Sequence, residues 1–104
     1  LYVITREDLT FGQQASQLCH ALREFANDHP EIDRDWYNNS NYICLLCVKT
    51  ENELNELCEK ANNLDIPYSN FYEPDLNGEL TAICIAPSPL TKKMVSQIKL
   101  AFKT

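Results

Sequence analysis

Gln13, Gln17, His20 and Glu24 recur three or four residues apart in the stretch that opens Gly12-Gln13-Gln14-Ala15-Ser16-Gln17-Leu18-Cys19-His20-Ala21. On a helix that spacing puts them in one line on one face. An imidazole between amides and a carboxylate can take a proton, orient a substrate or hold a water. The same spacing also describes a surface histidine bonded to Glu24 one turn on. Further along, Glu73 and Asp75 flank Pro74. A carboxylate there would orient the imidazole or a water, or else serve only the turn. Thr81 is a hydroxyl in the otherwise apolar run 80–86, where strand propensity alone would also account for it. His29, next to Pro30, reads as a turn residue.

These groups need elements to hold them. Residues 1–5 read as a strand and 6–9 as a polar loop. Thr10-Phe11-Gly12-Gln13 is a capping box. The helix behind it runs to about Asn27, with Ala15, Leu18, Cys19, Leu22 and Ala26 as its apolar stripe. Pro30 forbids much extension, and 28–40 reads as a polar loop anchored by Trp36. Residues 41–48 form a second strand. Thr50-Glu51-Asn52-Glu53 is a second capping box, followed by core positions Leu54, Leu57, Cys58, Ala61 and Leu64. Pro67 opens a third strand, 68–73. Asp75-Leu76-Asn77-Gly78 signals a turn, and 80–86 is a fourth strand. Ser88-Pro89 starts a last helix with Met94, Val95, Ile98 and Ala101 or Phe102 on its core face.

The order β-α-β-α-β-β-α predicts an α/β fold, a three-layer α/β/α sandwich on a four-stranded mixed sheet. The short link between the last two strands requires one of them to run antiparallel. A ligand crevice is expected outside the carboxyl ends of the strands, first at Thr5 and Arg6, where the N–H groups from Gly12 onward form an anion site.

The 104 residues suffice for one domain, 1–104, with its own core. No apolar run approaches the roughly 20 residues that span a bilayer, and no leader opens the chain, so a cytoplasmic protein is expected. Five cysteines in that setting read as reduced core thiols. Cys44 and Cys47 form a C-x-x-C, but in a strand they point to opposite faces and cannot chelate. No cluster has metal-ligand spacing, and no glycine-rich phosphate loop follows the first strand, so neither metal nor cofactor is expected. A net charge of −6 does not suit a general nucleic-acid binder. The acids crowd the middle, while Lys92, Lys93, Lys99 and Lys103 gather at the end, either as a small basic patch or as ordinary helix-end and solubility charges.

Together these segments resemble the type II peptidyl-tRNA hydrolase family. Its helix motif Gly-Lys-x-Ala-Ala-Gln-x-x-His-Ala stands here as Gly12 to Ala21, and its strand pattern Thr-Ala-x-x-x-x-Pro as Thr81-Ala82-Ile83-Cys84-Ile85-Ala86-Pro87. Pro67 opens the strand that ends in the family's acid, here Glu73. The chain departs from the pattern in several places. Gln13 stands where the family has lysine, Tyr72 where a basic residue precedes the acid, and Glu73 where the acid is Asp. The loop before Thr81 is shorter, and the Thr-Gln after the acid is missing.

The resemblance implies hydrolysis of the ester joining a peptide to the tRNA 3′ end, without a covalent enzyme intermediate. It assigns His20, Glu73 and Thr81 to catalysis, with His20 positioning or deprotonating water and Glu73 orienting it. Gln13 and Gln17 would bind substrate, and Arg6 with Lys92 or Lys93 would meet phosphate. The expected partner is peptidyl-tRNA or the tRNA 3′ end, not a membrane, with a homodimer as an option. The alternative is a module that kept the fold, lost the chemistry, and binds RNA or a protein partner. Net charge, Gln13 and Tyr72 favour that alternative.

Overall fold

The computed structural model describes residues 1–103. Strand β1 (Tyr2–Arg6) leads into helix α1 (Phe11–Asp28) and a second helix, α2 (Pro30–Asn39). Then follow β2 (Cys44–Val48), α3 (Glu51–Asn63), β3 (Tyr68–Glu73), a 3-10 turn (Pro74–Leu76), β4 (Glu79–Ile85), α4 (Pro89–Met94) and β5 (Lys99–Leu100). The sheet has five strands in the order β3-β4-β1-β2-β5. β1 and β2 are parallel, whereas β4 runs against β1 and β3, and β5 against β2. The expected fold class of α/β with a mixed sheet holds; the expected four strands and single reversed strand are corrected to five and two.

Alternation along β3 fixes the layers. Phe71 stacks on His20 of α1, and Ser69 bonds Asp28 at the end of α1, while Asn70 between them accepts from Cys58 of α3. Successive strand residues point to opposite faces, so α1 and α3 cover opposite faces of the sheet. The α1 face packs Leu18, Ala21 and Phe25 onto it, and the α3 face packs Leu54, Leu57, Cys58 and Ala61.

Three segments differ from the sequence reading. Residues 30–39 are helical, not loop. Pro30 ends α1 but sits in the first turn of α2, where its missing N–H costs nothing. Glu31 and Asp33 favour that helix N-terminus, and Ile32 and Trp36, one turn apart, pack on the core. Trp36 Nε1 donates to the Tyr42 carbonyl at 2.7 Å, so the indole ties this helix to the start of β2. The last helix stops at Met94, and Lys99–Leu100 instead cover part of the open edge of β2. Phe102, offered as a core position, is exposed, whereas Val95 is buried. The inner stripe of α1 is also rotated from the expected one. Gln14, Gln17, Leu18, Ala21 and Phe25 face inward, and Ala15 and Cys19 face water. Cys19 is therefore not a core thiol; Cys47, Cys58 and Cys84 are buried, and burial pushes the Cys84 thiol up to about 12.

The two helix starts also differ. Thr10 and Gln13 close the full capping box, with Gln13 N–H to Thr10 Oγ1 at 3.2 Å and Thr10 N–H to Gln13 Oε1 at 3.0 Å. At α3 only half of the box forms. Thr50 Oγ1 accepts from Glu53 N–H, but the Glu53 carboxylate accepts from Lys49 N–H.

Candidate active site

The polar residues on the inner stripe of α1 carry the site. A glutamine facing a core is tolerated only when its amide is satisfied. Gln14 Nε2 donates to the Leu9 carbonyl at 2.8 Å, which pins the loop before the helix. Gln17 is satisfied from both ends. The Thr81 hydroxyl donates to Gln17 Oε1 at 2.6 Å, and Gln17 Nε2 donates to Glu73 Oε1 at 2.9 Å. Accepting from a hydroxyl that also faces the Phe71 carbonyl at 3.4 Å, the amide oxygen fixes which way the amide points. Its N–H is thereby aimed at the carboxylate.

Thr81 reaches α1 because the β3–β4 ladder is irregular there. Phe71 pairs with Ala82 and Tyr72 with Leu80, which leaves Thr81 as the extra residue of β4. Strict alternation would send Thr81 to the α3 face, opposite to Ala82. A bulge re-aims the side chain, and the hydroxyl turns to the α1 face beside Phe71 and Glu73. The Thr81 carbonyl accepts from Thr5 Oγ1 at 2.9 Å, so the irregular backbone is satisfied from β1.

Glu73 ends β3 at the mouth of a cleft of about 370 Å³ lined by Gly12, Gln13, Ser16, Gln17, Glu73 and Asp75. The Gln17 amide, and then the Asp75 backbone N–H at 3.3 Å, hold its carboxyl below the ordinary value of 4.5, with a smaller contribution from nearby His20; partial burial opposes them. Glu73 is thus an ionised, oriented acceptor whose two oxygens keep lone pairs toward the cleft. Gly12, whose amide precedes the one taken by the cap at the start of α1, lines the same cleft and gives it an electropositive rim.

His20, Gln17, Glu73 and Thr81 are therefore brought together. His20 is exposed and lies flat on Phe71, with ring centroids 4.4 Å apart and planes 9° from parallel. It bonds neither to Glu24 nor to any other described residue. Thr81 is fully buried, so it acts through Gln17 and does not touch a ligand. Gln13 lines the cleft, although its carbonyl oxygen is committed to the cap.

The expected phosphate-binding cations are elsewhere. Arg6 is buried and held by Asp8 and Glu79, with a further bond to the Leu80 carbonyl at 3.1 Å. These carboxylates, Asp8 above all, raise its pKa, so it is a charged structural clamp and not a free phosphate ligand. Lys92 and Lys93 lie on α4, and Lys93 shares a cleft with Lys60 and Asn63 of α3, on the other side of the sheet. A cavity of about 430 Å³ between β2, α3 and the segment after α4 also lies on that side and contains none of the hydrogen-bonded chain. Among the described residues no group of three or more His, Cys, Asp or Glu is disposed to hold a metal.

Two participants escaped the sequence reading. Phe71 gives no signal of its own, because its partner lies on another element. The Asp75 N–H acts through the turn that Pro74 imposes, and the Pro-Asp pair is the only hint of it.

A solved structure of a protein of unknown function from Agrobacterium tumefaciens strain C58 shares the fold, with a TM-score of 0.71 over 95% of this chain and 94% of that one, at 16% identity. A peptidyl-tRNA hydrolase of Thermococcus sibiricus is 29% identical over 94% of this chain and 93% of its own length. The family model described as peptidyl-tRNA hydrolase PTH2 matches residues 1–104. The chain belongs to that family.

Proposed function

We propose that residues 1–104 form a single type II-like domain that hydrolyses the ester between a peptide and the 3′ end of tRNA, with Glu73 as the group that handles water. The observation that carries this reading is the chain from Thr81 through Gln17 to Glu73, which delivers an oriented, ionised carboxylate to an open cleft. A water held by Glu73 attacks the ester carbonyl carbon, and its proton passes to the carboxylate. The developing oxyanion sits at the N-terminus of α1, where unpaired amides favour negative charge. Collapse breaks the bond to the ribose oxygen, which takes the proton back from Glu73. Peptide and tRNA leave, and no bond to the enzyme forms. We give the water to Glu73 and not to His20, because a base needs a second group bonded to it for orientation, and the imidazole, stacked on Phe71, makes no hydrogen bond to any described residue.

A binding module without turnover is the second reading, and one observation favours it. No lysine or arginine lines the Glu73 cleft among the described residues. Gln13 stands in place of the family lysine, and Arg6 is consumed by its ion pairs. Peptide release from peptidyl-tRNA at high protein concentration separates the two. Release that Glu73→Gln abolishes supports the hydrolase, whereas release no faster than in buffer leaves only the module. On the hydrolase reading the substrate is the peptidyl-tRNA 3′ end, on the module reading the ligand is RNA or a protein partner, and in both the domain acts in the cytoplasm, with a homodimer as an option. No described helix is long and apolar enough to cross a membrane.

A further inference from the structure

His20 is placed for a role that its ring nitrogens do not explain. Its inner face lies on Phe71 at 4.4 Å and 9°, and its outer face is open to solvent. A ring N–H pointed at a π cloud would stand upright, so the near-parallel geometry is stacking and not an N–H contact. Phe71 is itself packed against the core, and its strand is paired along its length with β4. The upper ring is therefore held flat by a lower ring that belongs to the sheet.

The neighbourhood of Glu73 selects the occupant. Phe71 and Glu73 are alternate residues of β3 and share the face that α1 covers. Gln17, which bonds Glu73, lies one helical turn before His20 on α1. A nucleoside laid on the open face of His20 with its ribose toward Gln17 points its 3′ ester at the Glu73 carboxylate.

We infer that the open face of His20, backed by Phe71, is the stacking platform for the 3′-terminal purine nucleoside whose 3′ ester is cleaved at Glu73. This rests on the hydrolase reading for the ester but not for the base. Stacking reads the π-face of a base and requires no charge on the imidazole. An aromatic ring at position 20 therefore does the work, whether or not it titrates.

The test uses a cytidine-cytidine-2-aminopurine trinucleotide, whose fluorescence falls when its terminal base stacks. Wild-type protein is expected to quench it saturably. His20→Ala should weaken binding on the order of ten- to a hundredfold, the loss typical of one base–aromatic stack, and His20→Phe should restore both affinity and quenching. With peptidyl-tRNA, His20→Ala should raise KM with kcat largely kept, and His20→Phe should bring KM back. Absence of quenching by the wild type, or a His20→Phe protein that binds as weakly as His20→Ala, overturns the platform. Equal loss of kcat in both variants also overturns it, in favour of proton transfer by the imidazole. Saturable quenching that depends on an aromatic ring at position 20, in a protein that releases no peptide, would sink the hydrolase and leave the platform standing.

Discussion

Helices α1 and α3 cover opposite faces of one sheet, and both start at a threonine cap, yet their inner faces differ. α3 turns Leu54, Leu57, Cys58 and Ala61 inward, all apolar. α1 turns in Leu18, Ala21 and Phe25 but also Gln14 and Gln17. A buried amide without partners costs about 1–3 kcal/mol, where an apolar residue of its size would stabilise by a similar amount. Its presence is justified only by what it holds, here the Leu9 carbonyl and the Thr81–Glu73 chain. The face built for packing alone and the face that carries chemistry can thus be told apart by which inner residues must be satisfied and which need only fill space.

Substitutions on the two faces should separate in kind. Glu73→Gln is expected to have the largest effect, lowering kcat for peptide release by about 10²–10⁴-fold, the usual worth of a positioned general base. Its thermal unfolding should stay near that of the wild type, because the side chain is partly exposed. Leu54→Ala on α3 should do the reverse. Losing a fully buried leucine costs about 2–5 kcal/mol in urea unfolding, while the rate per folded molecule is unchanged. If Leu54→Ala abolished turnover in the folded protein, the division between faces would fail.

Gln17→Leu tests the link between packing and chemistry. It leaves the buried Thr81 hydroxyl without its best acceptor, at about 1–3 kcal/mol, and removes the leading cause of the lowered Glu73 pKa. In the wild type, activity should fall on the acid side only below the ordinary carboxylate value of 4.5. In Gln17→Leu that acid limb should move upward, which a pH profile of kcat would show. Stability follows the same sign. The contribution of Glu73 is full above its unfolded pKa and disappears as pH falls through the lower folded value, and the loss should be smaller in Gln17→Leu. The smallest effect is expected at Thr50→Ala. Loss of the α3 cap should cost ~1 kcal/mol and leave turnover unaltered, whereas Thr10→Ala, which frees the cleft-lining Gln13 from its cap, should lower stability by a similar amount and also turnover.

Much of this was legible along the chain. The Thr10–Gln13 capping box and the strand ending in Glu73 follow from local chemistry and form as expected, and the α3 core stripe forms at Leu54, Leu57, Cys58 and Ala61, while Leu64, expected to extend it, is the exposed C-cap. The motif Gly12 to Ala21 also marks Gln17 and His20. Other parts were not legible. Pro30 reads as a stop, and nothing nearby says that a new helix starts on it until Ile32 and Trp36 find the core. The apolar residues after Met94 fit a helix equally well, and only the open edge of β2 selects a strand for Lys99 and Leu100. Arg6 looks like a phosphate ligand until Asp8 and Glu79 close on it.

Most of the elements, the amphipathic character of α1 and α3 and the identity of the polar groups were decided by the sequence by itself, because propensity, capping and periodicity act over a few residues. The tertiary structure alone decided which of those groups meet. Gln17 faces inward because its partners lie 56 and 64 residues away, at Glu73 and Thr81. Thr81 reaches it only through a ladder irregularity opposite Phe71 and Tyr72. Hydrogen bonds across such separations are set by how sheet and helix pack, and no local pattern encodes them.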